Sequence, residues 1–136
     1  MKELHVVAGA LLNSQGRVLI AQRPSGKHMA GGWEFPGGKL ADNEAPLAGL
    51  IRELREELGV TVQDAKPVIA YTHVYPDRRV FLDLWLVREY GGVPQSCEGQ
   101  ALKWVDVDSL SSIGLLEADR PMIGALQRIL TQTTSE

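Results

Sequence analysis

Residues 38–60 read GKLADNEAPLAGLIRELREELGV, a stretch with one long apolar period and a dense set of carboxylates. Leu47, Leu50, Ile51, Leu54 and Leu58 fall at i, i+3, i+4, i+7 and i+11, the stripe of an amphipathic helix. The spacing predicts a helix from Glu44 to Leu58. Asn43 is expected as its N-cap, and Gly59 as its stop. Pro46 is tolerated in a first turn whose amides have no helical partner. Glu53, Glu56 and Glu57 stand at i, i+3 and i+4, so their carboxylates project from one side of the helix, beside the leucines. Like charges at these spacings cost roughly a few tenths of a kcal/mol each. A hard divalent cation among the oxygens reverses that repulsion. Mg²⁺ suits the site, because it takes carboxylates together with substrate phosphates and keeps several waters; Mn²⁺ is the expected substitute.

Before this stretch, Val6 to Leu12 and Arg17 to Gln22 are β-rich runs around Asn13-Ser14-Gln15-Gly16, which predicts an antiparallel hairpin. A loop over Arg23 to Gly32 follows. Pro36, Gly37 and Gly38 are expected to stop regular structure between Trp33 and the helix. After the helix, strands are expected at Val68 to Val74, Val80 to Arg88 and Ala101 to Val107, with Pro76-Asp77 turning between the first two. A last helix is expected from Pro121 to Leu130, where Met122, Ile123, Leu126, Ile129 and Leu130 repeat at helical spacing, and the tail Thr131 to Glu136 should fray. No repeat or linker divides the chain. Residues 1–136 therefore predict a single domain of the α/β (α+β) class, an α/β/α sandwich around a mixed sheet.

Composition narrows the function classes. With 136 residues, 44% hydrophobic and 23% charged, the chain can build a real core. A formal charge of -3 argues against binding a nucleic acid polymer, which relies on neutralising phosphates with a basic surface. A phosphate-bearing ligand should be small or bound through metal. The apolar run Leu4 to Leu12 is too short for a membrane anchor and lacks the flanks of a signal peptide. The single cysteine, Cys97, cannot form an internal disulfide, and a cytoplasmic monomer is expected.

Taken alone, Arg52-Glu53-Leu54-Arg55-Glu56-Glu57 reads as a solvated helix face laced with ion pairs. Its context changes that reading. Gly38, Glu44, Arg52, Glu53, Leu54, Glu56, Glu57, Gly59 and Val60 fit G-x5-E-x7-R-E-U-x-E-E-x-G-U, where U is aliphatic, without a departure. The pattern resembles the signature of the Nudix hydrolases, a loop-helix-loop that binds metal. The resemblance implies that Glu53, Glu56 and Glu57 bind Mg²⁺ and that the Gly37 carbonyl is a further ligand. It also implies that Arg52 orients a glutamate and that Glu44 ties the helix start to the loop, both roles that align metal ligands.

The likeness extends over nearly the whole chain. Arg23, His28-Met29-Ala30, Glu34-Phe35-Pro36-Gly37-Gly38-Lys39, Pro76-Asp77-Arg78, Glu98-Gly99-Gln100 and Trp104 resemble, in order and spacing, the MutT-type 8-oxo-dGTP diphosphatases. On that resemblance Arg23 and Lys39 contact phosphates, Arg78 helps hold the nucleotide, and Phe35 lines the base pocket. Glu98 becomes a metal ligand or a base acting through water, with Glu53 the other candidate base. Each has a plain alternative: Arg23 and Arg78 as loop charges, Phe35 as core, Glu98 as a turn residue. His28, a contact for phosphate or base in one reading, is a solvated loop histidine in the other. Trp33, Trp85 and Trp104 read as packing.

One position departs from the resemblance. Where MutT enzymes carry an Asn that reads the base, this chain has Asp119, which reads equally as an N-cap for the last helix. An ionised Asp only accepts hydrogen bonds. It could accept from N7-H of 8-oxoguanine, or from the N4 amino group of cytosine. The expected activity is Mg²⁺-dependent hydrolysis of 8-oxo-dGTP or dGTP to the monophosphate and pyrophosphate. The alternatives are CTP, dCTP or modified pyrimidine nucleotides, and a non-catalytic nucleotide-binding module.

Overall fold

The strand β1 (Lys2–Leu11) runs through the middle of a four-stranded sheet in the computed structural model, which describes residues 2–26 and 29–134. On one side β1 pairs antiparallel with β4 (Gly37–Lys39), and on the other it runs parallel to β6 (Arg78–Gly91). β5 (Thr61–Val74) closes the sheet antiparallel to β6, in the order β4-β1-β6-β5. A second sheet places β2 (Val18–Gln22) between β3 (Trp33–Glu34) and β7 (Leu102–Val105). Two helices, α1 (Pro46–Leu58) and α2 (Arg120–Thr134), complete the chain, with 3-10 turns at Val107–Ser112 and Glu117–Asp119.

The helices lie on opposite faces because alternate residues of β1 and β6 serve different cores. Val7, Leu11 and Val87 join Leu50, Leu54 and Leu58 of α1 in one apolar cluster, to which β2 adds Leu19. Ala8, Ala10, Leu82, Leu84 and Leu86 join Met122, Ile123 and Leu126 of α2 in the other. The expected α/β/α sandwich is therefore present, and both apolar stripes face inward, except that Leu47 at the start of α1 is exposed. Gly9 sits beneath α1, where a Cβ would lie 2.9 Å from Leu54 Cδ1, so its bare backbone sets how closely helix and sheet approach. Among the described residues no helix is long and apolar enough to cross a membrane.

Several expectations from the sequence are corrected. β1 and β2 are not a hairpin: Asn13 to Gly16 turns the chain, but only an isolated Leu12–Val18 bridge joins the two, and each belongs to a different sheet. An apolar run in a doubly covered strand signals burial without naming the partner. Strands β3 and β4 occupy the stretch where Pro and Gly were expected to prevent them. Asn43 is not the N-cap; Ala45 is, without a side-chain cap bond, and Asn43 adopts a left-handed φ of 63° in the loop before it. β5 starts at Thr61, directly after α1, and accommodates its length with register shifts near Val62 and Pro67. The last helix continues through 131–134, where fraying was expected.

Candidate active site

The loop between β3 and α1 is fastened to α1 by one guanidinium. Arg52 Nε and Nη2 donate to the two oxygens of Glu44, each at 2.8 Å, a paired geometry that fixes both side chains. Arg52 Nη2 also donates to the Lys39 carbonyl at 3.1 Å, and Nη1 to Glu53 at 2.8 Å and Glu56 at 3.2 Å. Glu44 in turn accepts from the Ala41 amide at 2.9 Å, which binds the loop to the helix start. These bonds, chiefly those from Arg52, hold the Glu44 carboxyl well below its ordinary range, at about 2.

The glycines of the same loop allow close approach. A Cβ on Gly37 would lie 2.0 Å from the Val7 carbonyl oxygen, and one on Gly38 would lie 2.2 Å from Glu53 Oε2. Bare backbone there lets β4 pair with β1 while Glu53 lies against it. The Gly37 amide donates to Glu57 Oε2 at 3.0 Å, so the loop meets the helix a second time, through a different glutamate.

Glu57 is perturbed in the opposite direction to Glu44. Burial pushes its pKa up to about 7, and the charges of Glu98, Glu34 and Glu53 push in the same direction against the Gly37 amide. Burial likewise raises Glu53, opposed by Arg52. Glu98 comes from the loop before β7, where Gly99 takes a left-handed φ of 80° and the Glu98 amide donates to Gln100 Oε1 at 3.1 Å. Gln100 is one of the few buried polar residues; its amide nitrogen lies 3.4 Å from Glu57 Oε1, and Ser96 donates to its side-chain oxygen at 2.9 Å.

Among the described residues, no three Asp, Glu, His or Cys side chains as they stand are gathered tightly enough to hold a metal ion. Glu53 and Glu56 are engaged by Arg52 instead. The donor set nevertheless fits a hard dication: the side-chain oxygens are all carboxylate, and Glu57 is pushed up by burial and by negative neighbours, an imbalance of charge that a bound cation would relieve.

A recessed cleft of about 470 Å³ lies beside these carboxylates. Gly37, Gly38, Lys39, Glu57 and Glu98 line it together with the apolar Leu4, Val6, Phe35, Leu82 and Ala118 and the buried Asp119. Arg23 and Arg78 also line it, and the Nε of each is buried without a hydrogen-bond partner. Arg23 Nε lies 3.6 Å from Glu34 Oε1, and the Arg78 guanidinium stands over the Tyr75 ring at 4.9 Å. Asp119 is buried, and its Oδ2 accepts from the Phe35 amide at 3.3 Å across the recess. Burial pushes its pKa up to about 7, with the Glu34 charge adding to the rise.

The structure thus brings Arg23, Phe35, Gly37, Lys39, Glu57, Arg78, Glu98 and Asp119 to one cleft, with Glu53 and Arg52 directly behind its loop. Glu56 stands on the exposed flank of α1, bonded to Arg52. His28 lies outside the described residues. Trp85 and Trp104 pack on the α1 side of the core and Trp33 on the other, as packing residues should. Glu34, Tyr75 and Gln100 also line the cleft, though no site role was expected of them. Glu34 and Gln100 stand inside segments that the resemblance marked, and Tyr75 directly precedes one.

The sequence profile of the NUDIX domain matches residues 7–125. The chain belongs to the NUDIX family. An 8-oxo-dGTP diphosphatase of Proteus vulgaris is 47% identical over 65% of this chain and 80% of its own length. A CTP pyrophosphohydrolase of Escherichia coli K12 is 36% identical, with 95% of each chain covered. The solution structure of the Escherichia coli ORF135 protein superposes with a TM-score of 0.86 at 34% identity, over 100% of this chain and 96% of that one. The MutT-type resemblance and the expected hydrolase of phosphoric anhydrides are borne out by this kinship. Members of the NUDIX family generally need a divalent metal, and the carboxylates that line the cleft are where this domain offers oxygen donors.

Proposed function

We propose that this NUDIX domain is a Mg²⁺-dependent nucleoside triphosphate pyrophosphohydrolase that converts 8-oxo-dGTP or dGTP to the monophosphate and pyrophosphate and so cleanses the nucleotide pool. The observation that carries the reading is one cleft lined both by carboxylates and by apolar side chains, with the buried acid Asp119 among them, chemistry that suits a triphosphate and a base. Glu53, Glu56, Glu57, Glu98 and the Gly37 carbonyl would hold the metal, for which Mn²⁺ could substitute. When bound, the metal supplies charge neutralisation on the phosphates and a more acidic water. Glu53 or Glu98 takes the proton of the water that attacks the β-phosphorus. Lys39 and Arg23 bind phosphate oxygens, which gives the unpaired Arg23 Nε a partner. Arg52 keeps Glu53 and the Lys39 carbonyl in place through the bonds described above. Phe35, Arg78 and, from its loop, His28 would help seat the nucleoside. The protein would act on free nucleotides as a cytoplasmic monomer, with neither a nucleic acid polymer nor a membrane as partner.

Asp119 favours a second reading, in which CTP, dCTP or a modified pyrimidine nucleotide is the substrate. Ionised, it accepts from the cytosine N4 amino group; protonated, which its burial promotes, it also donates to O6 of an oxidised purine. A pyrophosphate-release screen with Mg²⁺ over 8-oxo-dGTP, dGTP, CTP, dCTP and 5-methyl-dCTP separates the readings, run with the unaltered chain and with Asp119→Asn. Preference for the cytidine nucleotides overturns the first reading. Glu53→Gln should keep the fold and lose about 10²- to 10⁴-fold in turnover; near-normal activity would overturn the catalytic assignment. No release from any nucleotide would leave a nucleotide-binding module in its place.

A further inference from the structure

We propose that Tyr71 is a positioning residue for base selection: its hydroxyl fastens the turn that presents Asp119 to the recess, and so sets how sharply this site discriminates between bases. The inference rests on the nucleotide reading above. Tyr71 lies on β5 opposite Leu82 of β6, and Leu82 lines the recess. From there its Oη donates to the carbonyl of Ala118 at 2.5 Å, one residue before Asp119.

That turn needs an external hold. Glu117–Asp119 is a 3-10 turn that leads directly into α2, and Leu116 before it offers no side-chain cap bond. Two bonds tie it to the β3 segment: the Leu116 amide to the Trp33 carbonyl at 2.9 Å, and the Phe35 amide to Asp119 Oδ2 at a long 3.3 Å. Both come from the β3 segment, α2 continues the chain beyond, and neither bond reaches the Ala118 carbonyl. The bond from Tyr71 comes from β5, in the other sheet, and ties that carbonyl directly. Burial, with Asp119 and Tyr75 adding to it, pushes the Tyr71 hydroxyl up from its ordinary range, so it stays a donor at neutral pH. Recognition by a single carboxylate is sensitive to small displacements: a binding constellation has to be held to within ~0.5 Å.

The test is a double-mutant cycle on pyrophosphate release. Wild type, Tyr71→Phe, Asp119→Ala and the double variant are assayed with 8-oxo-dGTP and with CTP, reading kcat and KM separately, with thermal unfolding as the check on folding. Loss of one neutral hydrogen bond should raise KM for the preferred nucleotide by about fivefold and leave kcat within about twofold. The kcat/KM ratio between the two nucleotides should shrink by a similar factor in Tyr71→Phe. In the Asp119→Ala background the same change should leave that ratio where it was. A ratio unchanged by Tyr71→Phe, or changed equally with and without Asp119, overturns the inference while leaving the nucleotide reading intact. Absence of release from the wild type with any nucleotide overturns the nucleotide reading and this inference with it.

Discussion

Replacing Asp119 by Asn should flatten the pH dependence of stability around neutrality. The Asp119 carboxyl is only 7% exposed, and burial first, then the Glu34 charge, lift its pKa from 3.8 to about 7 against the Phe35 amide and Arg23. In the unfolded chain it ionises at its ordinary value. Because the folded value is the higher one, the stability it contributes is complete below 3.8 and is lost as pH rises through about 7. Between about pH 6 and about pH 8 the unfolded chain is already ionised, while the folded chain gives up most of a proton, a loss of about 1.4 kcal/mol. For a domain of this size that corresponds to roughly 4–6 °C in Tm. Asn keeps an oxygen for the Phe35 amide and has no proton to lose, so its Tm should fall by that much less over the same interval. Glu57 also ionises at about 7, but it is present in both proteins and largely cancels in the comparison. Thermal unfolding by circular dichroism across this pH range, with chelator present, measures both curves. Parallel curves for wild type and Asp119→Asn would refute the buried acid, and a steeper fall in the variant would reverse its sign.

Arg52→Lys should lower kcat about 10- to 100-fold with the circular dichroism spectrum unchanged, because an ammonium cannot hold both Glu44 oxygens together with Glu53, Glu56 and the Lys39 carbonyl. Gly38→Ala places a methyl 2.2 Å from Glu53 Oε2 and should cost about tenfold or more in kcat; Gly114→Ala, whose Cβ would meet nothing within 4 Å, is the control that should keep full activity. Leu54→Ala, which removes a fully buried side chain between α1 and Gly9 of the sheet, should lower the unfolding free energy by about 2–5 kcal/mol in urea titrations.

The chemistry of this chain was more legible than its strand pairing. Leu50, Leu54 and Leu58 announce α1 because a helix with one buried face writes that face into its own sequence at a fixed period. Gly38, Glu44, Arg52 and Glu53 were readable together because each needs another: the glycine makes room for Glu53, and Arg52 bonds both acids. Strand partners carry no such local record. Val6 to Leu12 has the same apolar content whether it pairs with β2 or, as it does, with β4 and β6. Gly37 reads as a breaker in sequence, whereas in the sheet its missing side chain is what permits β4 to approach Val7. Asp119 was equally compatible with capping the last helix; the long-range bond from Phe35 draws its carboxylate into the recess. Tyr71 carries no motif, and Gln100 only its place beside Glu98 and Gly99; their roles arise from contacts with segments distant in the chain.

The central place of β1 also bears on how the protein comes to be folded. Lys2 lies opposite Arg78 and Leu11 opposite Val87, so the strand made first pairs along its parallel edge with one made much later. On a ribosome adding about 5–20 residues per second, β1 waits several seconds for that partner. During the wait β4 can pair with its other edge and α1 can cover one of its faces, but the parallel edge and the face destined for α2 stay bare. The β5–β6 hairpin, local in sequence, is the natural first structure, with β1 docking onto its finished edge. Chains released before β6 is complete should therefore be the aggregation-prone species, and a holdase that shields the N-terminal segment should raise the yield of native protein more than one that acts on the finished chain.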